Sequence, residues 1–124
     1  MGLRCREPRG AIVSLAVLVS SLLGGCRPAV ESIQSLPLAV TEFRFEPATV
    51  TAKAGRRVRL SVTNVGRLEH EVVIRTPDGD LRIVLDAGKS GALEFVVERR
   101  GRYEMFCPLP GHRESGERGE LVLE

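Results

Sequence analysis

The chain has 124 residues, 43% of them hydrophobic and 27% charged, which fits one folded domain and excludes a disordered chain. Its formal charge of +2 lies in the first 25 residues, where Arg4, Arg6 and Arg9 outnumber Glu7, and residues 26–124 carry 15 basic and 15 acidic groups. That balance leaves no electrostatic footprint for nucleic acid.

The basic start is followed by an apolar run over residues 11–23, thirteen positions, too short to cross a bilayer as a helix and of the length a signal peptide uses. The run ends in Leu23-Gly24-Gly25-Cys26, and small residues directly before a cysteine resemble the lipobox of bacterial lipoproteins. The resemblance implies a signal peptide over residues 1–25, cleavage before Cys26, and a diacylglycerol on its sulfur. The domain would then be exported and anchored to the outer face of a bacterial membrane, in the periplasm or at the cell surface. The plainer reading is an ordinary signal peptide or uncleaved anchor, with Cys26 a simple thiol. With Cys5 removed and Cys26 acylated, Cys107 is the one cysteine left, and no intramolecular disulfide can form. Residues 27–37, interrupted by Pro28 and Pro37, read as a tether to a domain over residues 38–124.

From residue 38 onward the hydrophobic period is two. Val58, Leu60 and Val62 alternate with polar residues, segments 81–85 and 93–97 repeat the pattern, and 121–123 does so less distinctly. Leu38 and Val40, then Phe43 and Phe45, form two in-phase pairs separated by an extra residue, as a β-bulge would give. Turn residues fall between these segments, among them Gly55, Asn64-Val-Gly66, Pro77-Asp-Gly79, Gly88-Lys-Ser-Gly91 and Gly101. Pro77-Asp-Gly79-Asp80 carries too few carboxylates for a calcium loop and reads as a turn. Seven or eight short strands without a helix predict an all-β, antiparallel β-sandwich.

The chemistry-bearing residues fall in two places. In a strand beginning at His70, the side chains of His70, Val72 and Ile74 share the core face, so His70 ends a buried row. Later, Tyr103, Met105 and Cys107 share the inward face, and the stiff loop Pro108-Leu-Pro-Gly111 returns the chain so that His112 can approach Cys107. Each residue alone has a simpler account as a packed cysteine or a satisfied edge histidine. Together, one thiolate and two imidazoles form a donor set that suits copper in a near-trigonal electron-transfer site.

The spacing is similar to that of the cupredoxins, small blue copper proteins of the plastocyanin and azurin type. They carry Asn-x-Gly-x-x-x-His before a strand, and this chain reads Asn64-Val-Gly66-Arg-Leu-Glu-His70. Near the C-terminus they carry Tyr-x-x-x-Cys-x-x-Pro-Gly-His-x-x-x-Gly-Met-x-Gly-x-Leu. This chain reads Tyr103-Glu-Met-Phe-Cys107-Pro-Leu-Pro110-Gly111-His112-Arg-Glu-Ser-Gly116-Glu117-Arg-Gly119-Glu-Leu121. The resemblance implies a Greek-key β-sandwich binding one copper through His70, Cys107 and His112, with Asn64 pinning the two ligand loops together. The binuclear copper domain of cytochrome oxidase is excluded, because its loop needs two cysteines.

One position departs from the family pattern. Glu117 stands where the axial Met is usual, and Met105 does not replace it, since its parity with Cys107 places it deeper in the core. Three readings stay open: a carboxylate axial ligand that favours Cu(II), which is preferred; a side chain turned to solvent toward Arg113 or Arg118; or a site that has lost tight copper binding. The function expected is one-electron transfer by a monomeric, membrane-tethered copper protein with a redox partner protein. Copper handling or delivery, and a small copper enzyme with an open axial position, are the alternatives. Arg99-Arg100-Gly-Arg102 reads as a solvated turn, or as a docking patch for an acidic partner.

Overall fold

The computed structural model describes residues 32–124, so the signal-peptide reading, Cys5 and Cys26 lie outside the described residues. Nine strands are present there: β1 Gln34–Thr41, β2 Arg44–Glu46, β3 Thr49–Ala52, β4 Val58–Asn64, β5 His70–Thr76, β6 Gly79–Leu85, β7 Ser90–Phe95, β8 Gly101–Phe106 and β9 Arg118–Leu123. They form one sheet in the order β2-β1-β4-β7 and a second in the order β3-β9-β8-β5-β6. The expected all-β sandwich is the fold. No helix among the described residues is long and apolar enough to cross a membrane.

Three local features differ from the sequence reading. The chain between Val40 and Phe45 is not a bulge. Thr41 pairs with Arg44 across a two-residue turn, Glu42-Phe43, with Phe43 at φ 63°, and the strand reverses into β2. Second, the sheets are mixed, since β1 runs parallel to β4 and β3 parallel to β9. A parallel partner distant in sequence leaves no turn signal between the strands it joins, so alternation alone could not show it. Third, the end of the segment read as tether is already strand, because residues 34–40 of β1 pair with residues 58–64 of β4. Pro37 fits there. The Gln34 N–H donates to Arg57 O at 2.9 Å, so even-numbered residues of β1 direct their N–H groups toward β4. Pro37, which has none, faces the edge that β2 does not reach.

The core lies between the sheets. Leu38, Val40, Leu60 and Val62 from one sheet meet Val72, Ile74, Met105 and Leu121 from the other, each at most 2% exposed. Burying side chains of this size contributes about 1.5–3 kcal/mol each. Several inward rows then end in polar residues. Val58, Leu60 and Val62 lead to Asn64, Ile74 and Val72 lead back to His70, and Met105 leads to Cys107. In β9, Leu123 and Leu121 lead back through Gly119 to Glu117. Antiparallel pairing of β5 with β8, and of β8 with β9, brings the last three rows to one end of the sandwich.

Gly119 fixes the path of β9 into that end. A Cβ there would lie 2.2 Å from the carbonyl oxygen of Ala48, which itself accepts from Glu120 N–H at 2.9 Å. Gly119→Ala therefore has to part β9 from the chain before β3, and about 1–3 kcal/mol of stability is expected to be lost. The check is the midpoint of urea unfolding; an unchanged midpoint would show that the strand yields freely.

Candidate metal centre

His70, Cys107, His112 and Glu117 come together with one donor atom from each, all within 4.8 Å of one another. His70 enters from the start of β5. Cys107 follows the end of β8, and the loop from Cys107 to Glu117 supplies the other two. That loop is closed on itself: Cys107 N–H donates to Glu117 O at 3.1 Å and Glu117 N–H to His112 O at 3.0 Å. Between them His112 N–H donates to Leu109 O and Ser115 N–H to Gly111 O, both at 3.1 Å. His112 and Glu117 each follow a glycine at positive φ, Gly111 at 81° and Gly116 at 115°, conformations that side-chain-bearing residues rarely adopt.

Glu117 is fully buried, as is His70. The solvent-facing reading of Glu117 therefore does not describe this structure. Instead the carboxylate spans both imidazoles, with Oε1 2.7 Å from His70 Nδ1 and Oε2 2.9 Å from His112 Nδ1. Sγ of Cys107 stands 3.6 Å from the same His112 nitrogen. The contact at His70 is close but is not a hydrogen bond: His70 Nδ1 and Glu117 Oε1, both fully buried, are not aligned as donor and acceptor, and neither has another partner among the described residues. Two buried donor atoms at this separation, without hydrogen-bond alignment, are what ligands to a common ion present. Leaving them unmatched would cost several kcal/mol.

The electrostatics point the same way. Burial pushes the Cys107 thiol above its ordinary range and the Glu117 carboxylate adds to the rise, while backbone hydrogen bonds from Glu71 and Leu109 to the sulfur oppose it. A group that resists ionising in the bare protein becomes a thiolate when a cation supplies the missing charge. The donor set of one thiolate, two imidazoles and a carboxylate, held by rigid turns, fits copper.

Asn64 is buried and makes three side-chain hydrogen bonds. Its Nδ2 donates to Leu68 O at 2.8 Å and to Leu85 O at 2.9 Å, and its Oδ1 accepts from Gly66 N–H at 2.9 Å. It thus braces the loop before His70 against the end of β6. The implied link between the two ligand loops is not what these bonds make. They run to Leu68, to Gly66 and to Leu85, the residue paired with His70, and none reaches the loop from Cys107 to Glu117.

Two neighbours of the cluster escaped the sequence reading. The Phe43 ring meets the His112 ring edge-on, with centroids 5.3 Å apart at 84°. Glu42 accepts hydrogen bonds from the backbone N–H groups of Arg67 and Leu68 and from Thr41 Oγ1. The signal for Glu42 was present in its parity with Leu38 and Val40. Treating the segment as a bulged strand concealed it. The Arg67 N–H, with the other backbone and Thr41 contacts, lowers the Glu42 carboxyl from 4.5 to about 2. Its folded value lies below its unfolded one, so its stabilising contribution is complete above about pH 4.5 and fades as pH falls through about 2. In acid unfolding, the stability difference between wild type and Glu42→Gln is expected to shrink over that interval; a constant difference would remove the charge as its source.

Among the described residues, the fold and the cluster define a β-sandwich with a metal centre of cysteine, two histidines and a carboxylate. The chain belongs to the cupredoxin-like domain family, whose family model matches residues 11–122. It is 35% identical over 101 residues to the copper-resistant cuproprotein CopI of Rubrivivax gelatinosus, an alignment covering 65% of this chain and 60% of that protein. The chain therefore spans less than two thirds of that relative's length. It is 21% identical over 143 residues to the copper-resistant cuproprotein CopI of Pseudomonas aeruginosa, covering 77% of this chain and 79% of that one. Among solved structures, dithionite-reduced auracyanin of Roseiflexus castenholzii shares the fold with a TM-score of 0.68 at 16% identity, over 73% of this chain and 97% of that one. Auracyanin B shares it with a TM-score of 0.66 at 21% identity, over 81% and 92%. Family and donor set agree on the cofactor, one copper ion.

Proposed function

We propose that the chain is an exported electron-transfer cupredoxin whose copper is held by His70, Cys107 and His112, with Glu117 as a carboxylate axial ligand. The observation that carries this reading is the full burial of Glu117 between the two imidazoles. Thiolate and carboxylate together balance Cu(II), whereas Cu(I) leaves one negative charge unmatched in a dry site. The centre therefore favours Cu(II) and has a low reduction potential for its class. The closed ligand loop limits rearrangement between the two oxidation states. His112, whose side chain is 13% exposed, is the ligand through which an electron reaches the surface. Both histidines lie in the cluster and the one tyrosine donates its hydroxyl to Arg99 O, so neither residue type remains to move protons for a catalytic cycle.

The names of the two CopI relatives favour a second reading, in which the centre retains copper as Cu(II) in the service of copper resistance. Lipid attachment at Cys26, the outer membrane face as location, a monomeric state and a redox partner protein are parts of the proposal supported by the sequence alone.

Copper(II) titration of the purified protein, followed by absorption and EPR and then by voltammetry, tests both readings. An intense thiolate charge-transfer band saturating at one copper per chain is expected, its colour moved from blue toward green or red. Reversible one-electron reduction supports the carrier. Tight Cu(II) binding without reversible reduction supports copper retention, and no charge-transfer band would sink both.

A further inference from the structure

The inward row of β1 also ends in a polar residue. Leu38 and Val40 are followed in phase by Glu42, which stands beside the metal cluster without being one of its four donors. Its carboxylate is fixed by the backbone N–H groups of Arg67 and Leu68, in the loop that leads into His70, and Oε1 lies 3.8 Å from His70 Nε2. That nitrogen is fully buried and has no hydrogen-bond partner among the described residues. The other ring nitrogen, Nδ1, faces Glu117 and the cluster. With Nδ1 committed to a metal, the ring proton resides on Nε2. A buried N–H without an acceptor costs about 1–3 kcal/mol.

We propose that Glu42 is a positioning residue of the copper centre, the carboxylate that faces the His70 Nε2–H, fixes the orientation and tautomer of that ring, and strengthens Nδ1 as a donor. The inference rests on the copper reading above and deepens it. A carboxylate behind a ligating imidazole raises ligand basicity, and its removal typically costs 10–100-fold in metal affinity. The copper is then biased toward Cu(II) twice, by Glu117 directly and by Glu42 through His70. Gly66 belongs to this arrangement, because a Cβ there would lie 2.6 Å from Glu42 Oε1. The same turn carries Phe43, so its two residues reach both imidazoles. A φ of 63° at Phe43 is uncommon for a bulky residue, a form of backbone strain found where a surrounding structure enforces it.

Glu42→Gln keeps an acceptor oxygen for the two backbone N–H groups and removes the charge. The purified protein is compared with this variant by voltammetry and, in the diamagnetic Cu(I) form, by nitrogen-15 NMR of the His70 ring. The expected result is a reduction potential raised as though Cu(II) were bound about tenfold less tightly relative to Cu(I), about 59 mV for a one-electron couple, together with a shifted His70 Nε2–H resonance. Gly66→Ala displaces the carboxylate while retaining its charge and should move both readouts in the same direction, which covers the case of a poorly folded Glu42→Gln. A lowered melting temperature with potential and resonance unchanged would reduce Glu42 to a loop brace and overturn the inference. No copper uptake by the wild type overturns the copper reading and this inference together, whereas wild-type uptake with both variants unshifted overturns this inference alone.

Discussion

Replacing Glu117 by Met raises the reduction potential of the copper centre by roughly 120 mV, two tenfold steps in the ratio of Cu(II) to Cu(I) affinity at about 59 mV each. The magnitude follows from charge and not from shape. Glu117 is fully buried and its oxygens lie 2.7 and 2.9 Å from the two imidazole nitrogens, so water is in no position to screen it. A neutral thioether removes the charge that Cu(I) leaves unmatched, and several kcal/mol is the ordinary scale for such a charge in a dry interior. Softer axial donation also strengthens the copper–thiolate bond, so the absorption moves toward blue. Glu117→Gln, which keeps an oxygen donor and removes the charge, should fall between wild type and Met. Voltammetry of the three proteins checks the order. Equal potentials for wild type and Met would mean that the carboxylate does not act on the metal.

The second large effect belongs to Asn64. Substitution by Ala removes three hydrogen bonds at once and leaves the carbonyl of Leu85, in a buried bond, without its donor. Each buried group left unsatisfied costs about 1–3 kcal/mol, and these groups share one network, so a total near 3 kcal/mol is expected instead of a simple sum. Asn64→Asp should not rescue, because a carboxylate accepts from Gly66 N–H but cannot donate to Leu68 O or Leu85 O. Urea unfolding with an unchanged slope and a lower midpoint is the expected signature. A loss below about 1 kcal/mol would show that the turn before His70 holds itself without this side chain.

The reach of the sequence can be judged at particular residues. Alternation places Val58, Leu60 and Val62 on one face, and the same parity carried to the ends of the rows identifies His70 and Cys107 as rim residues. The short loop from Cys107 to His112 has little room to go elsewhere, so its closure is also legible. Phe43 and Glu42 were not legible in the same way. Two apolar residues spaced by two look alike whether the chain continues with a bulge or reverses, and only the pairing of Thr41 with Arg44 separates these cases. Asn64 lay between the two situations. Its position in an Asn-x-Gly turn was readable, but its partners Leu68 and Leu85 depend on which strand end lies over β4.

By itself, then, the sequence determined the all-β class and the donor chemistry of a copper centre, because side-chain period, residue type and short spacing are local properties of the chain. The tertiary structure alone decided the parallel pairings of β1 with β4 and β3 with β9, the burial of Glu117 against both imidazoles, and the placing of Glu42 behind His70. Each of these depends on residues far apart in the chain meeting across the sandwich, and no local pattern of residues encodes which ones will meet.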